Sequence, residues 1–248
     1  MQIKTEGLVI MEKTVGESDR LVTVLTKSDG LVHAFVKGAK SLKNKNSIST
    51  QLFCYSRLVI YKGREKYIID EATPIEVFFS LRDSIEKLAL AQYFCELTIA
   101  LASEHYQAND FLRLILNSLY YLSKDKKDRR IIKAVFEMRI MALAGYMPNL
   151  VCCDSCAKYE DKRMFFVPYQ GKIECRECFF KHGNIYSLPL NMGALTALRH
   201  SIYAEFKKIF SFELLGESLD QFSAAAEEYV KATLERKFKT LDFYHNVC

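Results

Sequence analysis

The first 78 residues alternate short apolar runs with polar turns. Positions 7–11, 21–26, 31–36, 58–61 and 67–69 are rich in β-branched, aliphatic and aromatic residues, a composition that fits a pleated, half-buried surface. Ser28-Asp29-Gly30 separates the second run from the third and reads as a turn. Lys62-Gly63-Arg64-Glu65-Lys66 separates the fourth from the fifth, giving a second hairpin. Five short strands joined this way predict a small barrel. After Pro74 the period changes from two to 3.6. Ile85, Leu88, Ala89, Tyr93, Leu97 and Ala100 share a helical face, with Ser80 or Asp83 as its cap. Asn109 or Asp110 caps a second helix carrying Leu112, Ile115, Leu116 and Leu119. A third runs over 129–144 with Ile131, Ile132, Val135, Met138 and Met141 inward, and Gly145 and Pro148 stop it. Further helices are expected at 194–206 and 218–240, the latter with a stripe of Phe222, Ala226, Tyr229, Thr233 and Leu234.

Between these helical stretches the pattern breaks at Cys153-Asp154-Ser155-Cys156 and again at Cys175-Arg176-Glu177-Cys178. Two C-x2-C turns at this separation have the spacing of a four-cysteine zinc ribbon. Each turn sets two sulfurs on one side of a tight loop, and Zn²⁺ takes four such ligands in a tetrahedron. Met164–Glu174 reads as strand, turn at Gln170-Gly171 and return strand, carrying the second pair of sulfurs back to the first. So small an element has little apolar core, so the metal is expected to supply its folding energy. Disulfides and a metal-free thiol cluster are the competing readings. Cys152 would give a C-x3-C with Cys156, which makes Cys153 the better match; His182 is a secondary candidate ligand.

The chain has 248 residues, half of them hydrophobic, and a formal charge of +5. That charge is concentrated. Between positions 37 and 66 stand eight Lys or Arg (Lys37, Lys40, Lys43, Lys45, Arg57, Lys62, Arg64, Lys66) against one acid, Glu65. Cations on a small barrel point to phosphate contacts, and Phe35, Phe53, Tyr55, Tyr61 and Tyr67 interleave with them as candidate stacking surfaces or core. Residues 37–47 combine lysines with Gly38, Asn44, Asn46 and Ser47 and are expected to form a mobile basic loop. Arg129, Arg130 and Lys133 on the third helix are a second cationic candidate. The ribbon differs: from 151 to 182 it has six Lys or Arg and five Asp or Glu, and four thiolates around one Zn²⁺ bring it near −1. Charge therefore favours a structural clamp or protein contact there.

No phosphate-binding G-x4-G-K-[ST] loop, H-E-x-x-H or G-x-S-x-G occurs, so no enzymatic role is expected. A zinc ion with four cysteine ligands has no open position for water. The N-terminus lacks a signal-peptide pattern and no apolar run reaches membrane-span length. A cytoplasmic, reducing location is expected, which favours zinc over disulfides.

Gly16–Thr26 (GESDRLVTVLT), the step from Gly30 to Val36-Lys37-Gly38-Ala39-Lys40, and Gly145-Tyr146-Met147-Pro148-Asn149-Leu150 running into Cys153 and Cys156 resemble the RecO family of bacterial DNA repair proteins. The resemblance extends over essentially the whole chain. It departs at Ala157, where glycine commonly follows the second cysteine. It implies an α+β multidomain fold: an N-terminal OB-fold β-barrel (1–79) and an all-α helical domain (80–248), with the zinc ribbon inserted at 150–183. It further implies a recombination mediator that binds single- and double-stranded DNA, anneals complementary strands, and partners RecR and the single-strand binding protein. Such a mediator helps load RecA and is associated with the bacterial nucleoid. With Arg20 added, Lys37, Lys40, Lys43, Lys45, Arg57, Lys62, Arg64 and Lys66 are the expected DNA-binding residues, and Cys153, Cys156, Cys175 and Cys178 are expected to hold one structural Zn²⁺. The competing function is a zinc-ribbon adaptor between proteins that does not touch nucleic acid.

Overall fold

The computed structural model describes residues 2–41, 44–63, 66–104, 106–183 and 186–248. Strands β1 (Gln2–Val15), β2 (Asp19–Thr26), β3 (Gly30–Val36), β4 (Cys54–Lys62) and β5 (Tyr67–Val77) close a barrel in the order β1-β2-β3-β5-β4. β1 is longer than its apolar run because it serves two neighbours. Its first half pairs with β4 and its second half with β2. Gly7 lies at the crossover, where an added Cβ would come within 2.6 Å of Val24. β3 and β5 run parallel at the closing seam, with Ala34 opposite Tyr67. The alternation seen in the sequence sets the core: Val22, Val24, Val32, Ala34, Val36, Leu58 and Ile60 all point inward.

Packing divides the chain into two compact units, 1–124 with 238–248, and 125–237. These limits differ from the expected division at 79/80. A 3-10 turn (Phe79–Asp83) leads from β5 into α1 (Ile85–Leu101), followed by α2 (Asn109–Ser123). These helices belong to the first unit with the barrel. The cap of α1 is Ser84, whose hydroxyl accepts from the Lys87 N–H, one residue past the expected Asp83. α1 buries Leu90, Ala91, Tyr93, Phe94 and Leu97 around its circumference, as a core helix does.

The second unit contains α3 (Arg129–Leu143), β6 (Met164–Val167), β7 (Lys172–Cys175), α4 (Arg176–His182), β8 (Leu188–Leu190), α5 (Met192–Tyr203) and α6 (Gly216–Leu234). The five inward positions expected on α3 are all fully buried. The single helix expected over 218–240 is two. Glu235 takes a left-handed conformation (φ 48°) and ends α6. The chain then starts α7 (Lys239–Val247), which packs on α1 in the first unit.

Candidate metal centre and nucleic-acid interface

β6 and β7 form the expected hairpin, with Met164 opposite Cys175. Gly171 makes the reversal in a left-handed conformation (φ 59°). β8, which the sequence reading did not anticipate, adds a third strand beside β6. The expectation of a core-poor ribbon needs correction. Met164, Phe166, Val167, Ile173 and Leu190 are fully or almost fully buried. Phe166 packs on the Tyr229 ring of α6 at 5.7 Å, and the Tyr229 hydroxyl donates to the Tyr146 carbonyl. Hydrophobic packing therefore holds the ribbon sheet to the helices.

The sulfurs of Cys153, Cys156, Cys175 and Cys178 lie within 4.8 Å of one another. Cys152 and His182 stand outside this group. The His182 Nδ1 is 3.2 Å from the Glu174 carboxylate. The Cys156 and Cys175 sulfurs are 3.6 Å apart, far beyond a disulfide bond of about 2 Å. Tetrahedral Zn–S bonds of about 2.3 Å place sulfurs about 3.8 Å apart, so the donor set fits one thiophilic divalent ion. Burial opposes ionisation of Cys153, yet backbone N–H groups of Cys175, Cys156 and Ser155 bring its thiol down to about 7. Cys178 is pushed up to about 12, first by hydrogen bonding with the Cys156 and Cys175 thiols and then by burial. One thiolate already discourages another, and a bound cation reverses that repulsion. Ala157, where the resembling family carries glycine, has φ 59°, the region glycine favours.

The barrel cations fall into two groups. Arg20 is turned inward, with its side chain 15% exposed. It pairs with Glu12 at 3.4 Å and donates to the Ser47 carbonyl at 3.2 Å, so it pins the β3–β4 connection. Lys45 faces Glu71 at 3.2 Å, and Arg57 lies 3.7 Å from Glu6; both are largely exposed. Lys37, Lys40, Lys62 and Lys66 are exposed and have no carboxylate partner among the described residues. The register brings three of them together: Lys37 follows the end of β3, Tyr67 lies opposite Ala34 and Lys62, and Lys66 precedes Tyr67. Lys66 sits over the Phe35 ring at 5.4 Å and Lys62 over Tyr67 at 5.5 Å. Phe53 is core, while Tyr61 is exposed. Lys43 and Arg64 lie outside the described residues.

The connection expected to be mobile is tied down where it is described. Lys40 N–H donates to the Ser18 carbonyl and Gly38 N–H to the Asp19 carboxylate. Ala39 is fully buried against the barrel core. The Asn46 side chain donates to the Asp70 carbonyl and accepts from the Ala72 N–H. Of the asparagines read as flexible, Asn44 bonds the nearby backbone at Lys37 and Asn46, while Asn46 reaches across to β5. The second cationic candidate also changes. Lys133 is 2% exposed, bonded to Glu137 and Glu227, and Arg130 pairs with Asp128 and Asp220. Asp128 and Glu137 are close in sequence, but Asp220 and Glu227 lie 90 and 94 positions away in the chain and leave no mark in local pattern.

Fold and site together define a class: a mixed α+β protein with a closed barrel bearing a basic end and a module whose four clustered cysteines could hold one metal ion. Residues 1–78 match the family model described as Recombination protein O N terminal, and 82–242 match Recombination protein O C terminal. The chain belongs to the RecO family. It is 33% identical over 241 residues to the DNA repair protein RecO of Acetivibrio thermocellus, covering 97% of this chain and 95% of that one. The protein of the same name from Alkaliphilus metalliredigens is 27% identical over 244 residues, 98% of both chains.

Proposed function

We propose that this chain is a non-enzymatic recombination mediator in DNA repair. It binds single- and double-stranded DNA, anneals complementary strands, and helps RecR load RecA onto strands covered by the single-strand binding protein. The observation that carries the reading is a set of exposed lysines, Lys37, Lys40, Lys62 and Lys66, without a carboxylate partner among the described residues, on a barrel of a family named for DNA repair. The strand order, with a parallel β3–β5 closure, supports assignment as an OB fold. Its β2–β3 face and its β1–β2 and β4–β5 loops are the usual places for oligonucleotides. Lys62 and Lys66 flank the β4–β5 loop. Annealing follows from charge: lysines lower the repulsion between two strands while contacts to phosphate leave base edges free to pair. Zn²⁺ held by Cys153, Cys156, Cys175 and Cys178 is structural. The site of action is the cytoplasm, at the nucleoid, and no helix among the described residues is long and apolar enough to cross a membrane.

The test is a salt titration of DNA binding. Replacing Lys37, Lys40, Lys62 and Lys66 by Ala should lower the single-strand salt slope by about 3, since each phosphate contact contributes about 0.7. Affinity should fall alike for all sequences. An unchanged slope would place DNA elsewhere on the chain. The triple change at Lys40, Lys43 and Lys45 should do less, because Lys45 is held by Glu71.

A further inference from the structure

The near-neutral charge of the ribbon conceals a separation. All five of its acids have cationic partners. Asp154 and Glu174 meet Lys172 at 3.1 and 3.2 Å. Glu174 also meets His182. Asp161 meets Lys158 at 3.6 Å, and Glu177 lies 4.0 Å from the same lysine. Glu160 lies 3.8 Å from Arg199. Lys162, Arg163, Arg176 and Lys181 are exposed and have no carboxylate partner among the described residues.

Three of these four cations surround an aromatic cluster. Phe165 leaves β6 on the side opposite the buried Phe166, because successive strand residues face opposite ways. It stacks on Phe179 of α4, with ring centres 4.2 Å apart and planes within 6°. Phe180 stands edge-on to both rings and is 66% exposed. Lys162, Arg163 and Arg176 line one open hollow of about 460 Å³ with Phe165 and Phe180. Asp161 also lines it, but its carboxylate is engaged by Lys158 and by the Lys162 N–H at 2.8 Å. An exposed phenylalanine beside cations that have no carboxylate partner among the described residues matches a chain with flat apolar faces and regular negative charge.

We propose that this face of the ribbon is a second binding surface for single-stranded nucleic acid. An unstacked base lies on Phe180, and flanking phosphates meet Lys162, Arg163 and Arg176. Duplex bases are stacked on one another and cannot use the ring, so the surface discriminates single from double strands. The assignment rests on the DNA-binding reading above and adds a location to it, replacing the expectation that the ribbon is a poor phosphate grip.

The test uses the full-length, zinc-loaded protein and an oligo-dT strand, with a duplex of equal length as the comparison. The triple change Lys162→Gln, Arg163→Gln, Arg176→Gln should lower the single-strand salt slope by about 2. Phe180→Ala should weaken single-strand binding by roughly 5-fold or more, the scale of one lost base–aromatic stack, with duplex affinity unchanged. The chain has no tryptophan, so Phe180→Trp installs a single reporter. Its fluorescence should be quenched on saturation with oligo-dT and much less by duplex. Zinc content and circular dichroism check that each variant is folded. An unchanged slope together with an unquenched Phe180→Trp at saturation overturns the proposal. If the barrel lysine variant alone loses DNA binding, the ribbon surface is refuted and the mediator reading stands. If the wild-type protein binds no DNA at low salt, the mediator reading fails and this surface with it. Wild-type DNA binding by the triple variant, with loss of association with a protein partner, would make the patch a protein contact.

Discussion

Lys133 lies where water barely reaches, between Glu137 at 2.9 Å and Glu227 at 2.7 Å, and Lys231 caps Glu227 at 2.6 Å. Burial pushes the Glu227 carboxyl up, but the Lys133 ammonium and then Lys231 reverse this and hold it at about 2. A carboxyl whose folded value lies below its unfolded one contributes stability that is fully present above the unfolded value, about 4.5, and is lost as pH falls from there toward 2. Wild-type protein should therefore lose stability through this window in urea unfolding. Glu227→Gln should flatten that loss and cost about 2 kcal/mol at pH 7 through the weakened charged hydrogen bonds. An identical pH profile for both proteins would show that the cluster is not what titrates. Residues of this kind mark the limit of sequence reading. Lys133 and Arg130 look like surface cations with ordinary local partners in the string, and only the approach of α6 adds Glu227 and Asp220. The cysteines were legible because their partners are set by local turns: the choice of Cys153 over Cys152 followed from spacing, and the sulfur cluster has the same members.

Element boundaries were legible where a single residue type forces them. Gly30 ends the β2–β3 turn at φ 63°, and a Cβ there would sit 2.1 Å from the Ser103 carbonyl oxygen and 2.8 Å from that of Tyr106. Leu31 N–H also donates to the Ser103 carbonyl at 3.2 Å, so the backbone cannot retreat without losing a hydrogen bond. Gly30→Ala should destabilise by 2 kcal/mol or more, about 1–2 of it from the left-handed conformation alone. Thermal unfolding checks this; a melting temperature within a degree of wild type would mean that the 103–106 segment yields freely. Elsewhere composition misled for identifiable reasons. The 37–47 segment has the polar, small-residue texture of a mobile loop, yet Asn46 spans to β5 and Ala39 plugs the barrel. The helix expected across 218–240 breaks at Glu235, a residue with no breaker signature. β8 is only three residues, Leu188–Leu190, around Pro189, too short for alternation to register.

At the scale of the molecule, the barrel and the order of parts were visible in hydrophobic period, while the grouping of elements was not. Period identifies a helix but not the surface it covers, and α7 joins the first unit through partners on α1 such as Glu96, whose carboxylate accepts from the Thr240 N–H at 3.1 Å. This grouping determines how far the metal site should reach. All four cysteines belong to the second unit, and so do Phe166 and Tyr229, the contact between ribbon and α6. A chain of two compact units need not unfold in one step. Zn²⁺ stabilises whichever unit binds it in the folded state only. Cys175→Ser should release about one equivalent of zinc per chain and lower the melting of the 125–237 unit. The buried Met164, Phe166 and Ile173 should keep that unit folded at room temperature, unlike a metal-dependent finger. Barrel melting, followed by proteolysis within 1–124, should stay where it was. Calorimetry of wild type and Cys175→Ser, each with metal analysis, distinguishes the outcomes. Complete unfolding of the variant at room temperature would show that the metal, and not Phe166 on Tyr229, holds the ribbon to its helices.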